Sequence, residues 1–174
     1  MLEVRRQLVH ATGIFIILIV VWFSKYIAAL LSLLIVFLFF VLSRYRQKLK
    51  PLLNKLERRG EIFKGAANFY IGTFLTTLIF NETAAIAGIV VLSIGDSIST
   101  LVGKHFGKHK IANSKKTIEG SAGFFLSSIL MLYFLTNPLK AVVVAFAATV
   151  IELFPLDDNL TIPIFTALVF QFLP

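Results

Sequence analysis

Between Gly95 and Gly120 the chain gathers residue types that bind anions and divalent cations. Gly95, Ser99, Gly103 and Gly107 recur every fourth residue. On a helix they make one stripe almost free of side chains, along which another backbone or a ligand can come close. Asp96 borders that stripe, with Ser99, Thr100 and Gly103 three, four and seven residues on. A carboxylate in an apolar helix is costly unless it is paired or holds a cation. Lys104, Lys108, Lys110, Lys115 and Lys116 follow, then Thr117 and Glu119. Glycines, a carboxylate, a lysine pair and a hydroxyl are the parts that grip Mg²⁺ and a polyphosphate. Helix packing would account for the glycines and a membrane-surface loop for the lysines, but packing has no use for Asp96 or Glu119. No Gly-x-x-x-x-Gly-Lys-Ser/Thr phosphate loop occurs.

A second set of carboxylates lies further on. Glu152 sits a turn before an apolar run ends, Pro155 breaks the helix, and Leu156-Asp-Asp-Asn-Leu160 follows. A salt bridge to a loop lysine would explain Glu152, and solvation would explain Asp157 and Asp158. A divalent-ion site explains all three, since hard oxygen ligands suit Mg²⁺. Near the start of the chain, Arg6, His10 and Gly13 share one helical face. A hydrogen-bonded buried histidine, and arginines that only set topology, are the plain alternatives there. Gly65, Asn68, Gly72 and Thr76 share another face, read either as a packing face with a bonded Asn or as the lining of a lipid-headgroup site.

These residues must be positioned by membrane helices. The chain of 174 residues is 57% hydrophobic and 15% charged, with a mean hydropathy of +0.87, a composition of polytopic membrane proteins. It holds no cysteine, which excludes disulfides and thiolate metal sites. Apolar runs fall at Leu8–Phe23, Ile27–Leu42, Phe63–Phe80, Ala84–Val102, Ser121–Leu135, Leu139–Phe154 and Leu160–Leu173. We expect an all-α polytopic transmembrane bundle of about seven spans, forming one integral-membrane domain over residues 1–174. Several runs fall short of the roughly 20 residues a bilayer core needs, so their ends must reach the interface or lie inside the bundle. No cleavable signal peptide is expected. Arg44–Gly60 is basic but sets Leu49, Leu52, Leu53 and Leu56 at helical spacing, which predicts an amphipathic helix on the inner leaflet.

The net charge of +8 reports topology rather than nucleic-acid binding, because the basic residues lie between apolar runs. With seven spans, fifteen of the 17 basic residues fall on one side, leaving Lys25 and Lys140 opposite. By the positive-inside rule the N-terminus, both basic loops and the loop at Pro155–Asn159 are cytoplasmic. Every candidate polar site then meets one face.

With these residues in view, the chain resembles the polyprenol kinase family: dolichol, phytol and farnesol kinases and CTP-dependent diacylglycerol kinases. Four blocks carry the resemblance: Arg5-Arg6 with His10 and Gly13; Arg58-Arg59 through Lys64-Gly65 to Tyr70 and Gly72; Gly95-Asp96 through Gly103, Gly107 and Lys115-Lys116-Thr117-x-Glu119-Gly120; and Glu152 with Asp157-Asp158-Asn159 and Ile162-Pro163. The third corresponds to the family's CTP-binding region, with Ser99 where many relatives have Ala. The chain looks like the minimal catalytic core beside the longer eukaryotic dolichol kinases. CDP-diacylglycerol synthases share much of the third block, but their Pro-Gly-His-Gly-Gly and Asp-Arg-x-Asp stretches do not occur here. A small transporter would fit intramembrane carboxylates, yet no inverted repeat is visible.

The resemblance implies transfer of the γ-phosphoryl group of CTP to a membrane alcohol at the cytoplasmic interface, with Mg²⁺ as cofactor. It implies Asp96 as metal ligand, with Glu152 or Glu119 as second ligand. Ser99, Gly103, Gly107, Lys115, Lys116, Thr117, Glu119 and Gly120 are expected around the nucleotide. Arg5 and Arg6 are expected to clamp the transferred group, and Asp157 or Asp158 to accept the hydroxyl proton, with His10 as the alternative base. Asn68 and Asn159 are expected near the lipid alcohol. The expected partners are a nucleoside triphosphate, a lipid alcohol and the membrane, with no nucleic acid; self-association as a homo-oligomer stays open.

Overall fold

Helix starts are written into the sequence at Ser24, Asn81, Thr117, Asn137 and Asp157. In a computed structural model each of these side chains accepts a main-chain N–H of the following turn: Ile27, Ala84, Gly120, Lys140 and Asn159 respectively. Such caps contribute about 1 kcal/mol each, and Pro138 is pre-set for the first turn after Asn137. The structure describes residues 2–45, 64–111 and 116–174, with side chains from residue 9 onward.

The described residues are all-helical apart from one isolated β-bridge, Lys110 to Thr117. In chain order they form α1 (Leu2–Trp22), α2 (Lys25–Arg44), α3 (Lys64–Ile79), α4 (Glu82–Val90), a π-helical segment (Val91–Asp96), α5 (Ser97–Phe106), α6 (Ile118–Tyr133), α7 (Pro138–Glu152) and α8 (Asp158–Phe172). Because α4, the π segment and α5 run on as one rod, there is one rod for each apolar run of the sequence. Two of the rods, Lys25–Arg44 and Glu82–Phe106, are long and apolar enough to cross a membrane. The amphipathic helix expected over Arg44–Gly60 and the Arg58-Arg59 pair lie outside the described residues, save for Arg44, which ends α2, and Tyr45, which caps it.

The rod Glu82–Phe106 runs through the middle of the bundle. Its upper half packs on α1, α3 and α8, its π segment on α1, α6 and α8, and α5 lies along α6. Ala84, Ala85, Ala87, Ile89, Val91 and Leu92 of that rod are fully buried. Small residues let helices close up where apolar lipid offers no hydrophobic drive. A Cβ on Gly72 of α3 would sit 2.2 Å from the Asn159 carbonyl oxygen of α8, and one on Gly88 2.3 Å from that of Pro163. Outward, Trp22, Phe37, Phe40, Leu126, Phe146 and Phe172 are exposed on five of the rods, large apolar side chains of the kind that mark a membrane or partner surface.

The rods alternate in direction, so their ends form two sets. At one end Lys25 donates to the Phe80 carbonyl (2.7 Å), Lys140 to that of Leu173 (2.6 Å), and the Asn81 N–H to Gln171 (2.8 Å). At the other end lie Asn68, Lys116, Glu152, Asp157 and Asp158, joined by hydrogen bonds across α3, α7, α8 and the α5–α6 loop.

Candidate functional site

Asp96 closes the π segment and is 7% exposed. A π turn inserted into an α-helix swings the side chains beyond it to a new direction and recurs at functional sites. Across from it on α1 stands His10, 2% exposed and edge-on to Phe69. Its Nδ1 lies 3.3 Å from the Leu92 carbonyl oxygen. A carbonyl only accepts, so Nδ1 carries the proton. Nε2 then faces Asp96 Oδ2 at 3.6 Å, an ion-pair distance rather than a hydrogen bond. His10 and Gly13 of α1 therefore meet the π segment: a Cβ on Gly13 would overlap the Ser93 hydroxyl. The side chains of Arg5 and Arg6 and all of Lys115 lie outside the described residues.

Lys116 and Glu152 form the second centre. Glu152, the last residue of α7, is 2% exposed. Ser99 of α5 donates to Oε1 (3.3 Å), Ser121 of α6 to Oε2 (3.2 Å), and the Lys116 ammonium stands 3.2 Å from Oε1. Lys116 also donates to the main-chain carbonyl of Glu152 and, at 3.0–3.1 Å, to both oxygens of Asp158. A buried carboxylate satisfied on both oxygens and paired with an ammonium is stable where it lies. The salt bridge to a loop lysine is thus what Glu152 makes in this structure. Ser121, which supplies a third of its contacts, was not singled out from the sequence; its position right after Glu119-Gly120 was the available signal.

Asp157 and Asp158 point into the same end of the bundle rather than into solvent. Asp157 accepts from Asn68 Nδ2 at 2.6 Å and from the Asn159 N–H at 3.2 Å. The face bearing Gly65, Asn68 and Gly72 accordingly rests on the start of α8. Asp158 lies ahead of the apolar run Leu160–Leu173. Burial pushes its carboxyl up to about 6, Lys116 pulls it down, and Asp96 and Glu152 add to the rise. The influence of Asp96 and Glu152 on Asp158 ties carboxylates of three rods into one electrostatic unit.

The glycine stripe faces α6. A Cβ on Gly95 would meet Ser128 and Phe124, one on Gly103 would meet Thr117, and one on Gly107 would meet Thr117 and the Gly103 carbonyl. Gly120 lies against Ser99 and Gly103 from the other side. What the stripe admits here is the start of α6, with Thr117 spending its hydroxyl on the helix cap. Glu119 turns to the loop, accepting from the His109 main chain (3.3 Å) and from Nδ1 (2.7 Å). The side-chain hydrogen bond from His109 draws its carboxyl down to about 2.

Among the described residues no group of three acidic or histidine side chains could hold a metal ion unaided. Mg²⁺ held by one or two carboxylates plus nucleotide phosphates needs no such cage. A carboxylate such as Asp96 fits that arrangement, whereas both oxygens of Glu152, Glu119 and Asp158 are bonded to protein donors.

Comparison with known proteins adds three relatives. The chain is 34% identical to an uncharacterised protein of Methanocaldococcus jannaschii over 97% of its own length and 93% of that protein. It is 36% identical to a Triticum aestivum protein named "Probable phytol kinase, chloroplastic", over 64% of this chain and 45% of that one. It is 27% identical to CTP-dependent diacylglycerol kinase 1 of Schizosaccharomyces pombe, over 71% of this chain and 65% of that one. The chain spans about half the length of the plant phytol kinases it matches. No family model matches it, and no solved structure does.

Proposed function

The chain belongs to the polyprenol kinase family, and on that premise we propose that it transfers the γ-phosphoryl group of CTP to the hydroxyl of a membrane isoprenoid alcohol. The observation that carries this reading is the meeting of Asp158 and Glu152 with Lys116, beside the Asp157–Asn68 bond, at one end of the bundle, with Asp96 near enough to raise the Asp158 carboxyl. Phosphoryl transfer asks the protein for positioning and charge neutralisation rather than covalent chemistry, and this end offers both. CTP as donor is supported by the name of the fission-yeast relative.

Asp96 would hold Mg²⁺ together with the nucleotide phosphates, and the ion when bound supplies charge neutralisation there. Asp158 accepts the alcohol proton as the oxygen attacks the γ-phosphorus and CDP leaves. Asp157 orients Asn68 and the start of α8, where Asn159 also lies, so that the alcohol meets a fixed polar wall. Lys116, held by Glu152, lowers the charge of the acidic wall so that an anionic nucleotide can approach. Lys115, Arg5 and Arg6 are assigned to the phosphates, and His10 to holding Asp96. The exposed apolar side chains and the seven rods support a multi-pass membrane protein whose basic end, with the site, faces the cytoplasm.

The test is an assay of purified protein with CTP labelled on the α or the γ phosphate and a panel of prenols, dolichol, phytol and diacylglycerol. Label should pass to lipid from the γ position only. Transfer from the α position would make the protein a cytidylyltransferase, and no nucleotide binding at all would leave a transporter or structural bundle.

A further inference from the structure

The reaction proposed above leaves the His109–Glu119 pair without a task. Its setting gives it one. The described ends of the α5–α6 loop pair as a one-bridge antiparallel ribbon: the Ile118 N–H donates to the His109 carbonyl (2.9 Å), the Ile111 N–H to that of Lys116 (3.0 Å), and Lys110 opposes Thr117. Neighbouring side chains on such a ribbon point to opposite faces. Thr117 goes under the glycine stripe, against Gly103 and Gly107, while Lys116 goes to Glu152 and Asp158. A slip of one residue would break both main-chain bonds and draw Lys116 off the acidic wall, while Thr117 stays held by its own cap bond from the Gly120 N–H. A two-stranded ribbon alone is marginal in water, so its register must be fixed from outside.

We infer that His109 and Glu119 form a clasp that fixes this register and so aims Lys116; His109 and Glu119 are positioning residues for the nucleotide loop, and Glu119 ligates neither metal nor nucleotide. Glu119 stands in the first turn of α6, a rigid base whose positive end favours a carboxylate. One of its oxygens takes the His109 main-chain N–H and the other takes Nδ1. Gripping main chain and side chain of one residue together selects that residue, and His109 is the partner of Ile118 in the ribbon. Both of the carboxylate's oxygens are thereby spent. The His109 side chain is 72% exposed, and exposed ion pairs contribute little to global stability. The consequence belongs to the loop, not to the fold.

The inference rests on the kinase reading, and its test separates the two. His109→Ala, Glu119→Ala and the double variant are prepared as full-length protein beside the wild type. Hydrogen exchange is followed at the Ile111 and Ile118 amides, which needs no substrate, and kinetics are measured with CTP and varied Mg²⁺. Both single variants should speed exchange at these amides and raise the KM for CTP by about three- to fivefold. The double variant should go no further than the singles, with kcat, Mg²⁺ half-saturation and thermal midpoint held. Unchanged exchange in both variants would overturn the clasp. So would a Glu119→Ala protein that loses kcat or needs far more Mg²⁺ while His109→Ala stays normal, since that is a ligand's signature. A wild type that moves no γ-label would defeat the kinase reading alone, because the exchange result stands without it.

Discussion

Burial at the loop end of the bundle pushes the Asp158 carboxyl up to about 6, against the pull of Lys116, and Asp96 and Glu152 push the same way. As pH falls through that value Asp158 takes up a proton and can no longer accept one from an alcohol. Turnover should therefore fall on the acid side with a limb near 6. The stability sign is opposite. A carboxyl raised from its ordinary 3.8 adds stability that is full below 3.8 and lost as pH rises through about 6. Melting curves taken across the limb would show no loss from Asp158 on acidification, which separates titration from unfolding. Asp158→Asn should cost about 10²–10⁴ in kcat, the usual worth of a positioned base. A variant within a few-fold of wild type would move the base to Asp157. Asp96→Asn keeps its size beside His10 and should abolish turnover with the melting point held; retained activity would reduce Asp96 to packing. Asp96 was legible in the sequence because charge inside an apolar run demands a reason, and Asp158 because it crowds with Asp157 just after Glu152 and Pro155. Their partners were not: Asn68 and Asp157 lie 89 residues apart, and only the packing of α3 on α8 brings them together.

Helix α8 shows how elements hold the site. Pro163 has no N–H, so the Asn159 carbonyl lacks its partner within the helix. Gly72 of α3 lies against that carbonyl and Gly88 of α4 against that of Pro163. Gly72→Ala should lower stability by about 1–3 kcal/mol, as overpacking does, and should reduce activity by pulling Asn68 off Asp157. Gly65→Ala is the control on the same face, since its Cβ would meet Asn159 only at 3.9 Å. Equal thermal midpoints for the two variants would show that the contact is not a tight one. The rods themselves were readable from apolar runs and capping residues. The π segment was not, because one extra residue per turn leaves no mark on composition. Nor could four small residues in a stripe reveal whether a nucleotide or α6 would occupy it.

At the scale of the whole molecule, charge and packing agree on two unlike ends. Lys25 and Lys140, the two basic residues that the topology sets apart, spend their ammonium groups on the last carbonyls of neighbouring helices. Cations are favoured at that end of a helix, so these two are explained by capping rather than by an error in the assigned orientation. Lys108 stands in the loop at the opposite end and is exposed, while Leu139, 76% exposed, sits beside Lys140 without its capping bond. Because the native chain has no cysteine, Lys108→Cys and Leu139→Cys each create a unique thiol. If the basic end faces the cytoplasm, as the positive-inside rule expects, a membrane-impermeant maleimide on intact cells should label the thiol at 139 and reach the one at 108 only after permeabilisation. The reverse pattern would put Asp96, Asp158 and the lysine loop on the face away from cytosolic nucleotide, and the kinase reading would then lose its phosphoryl donor.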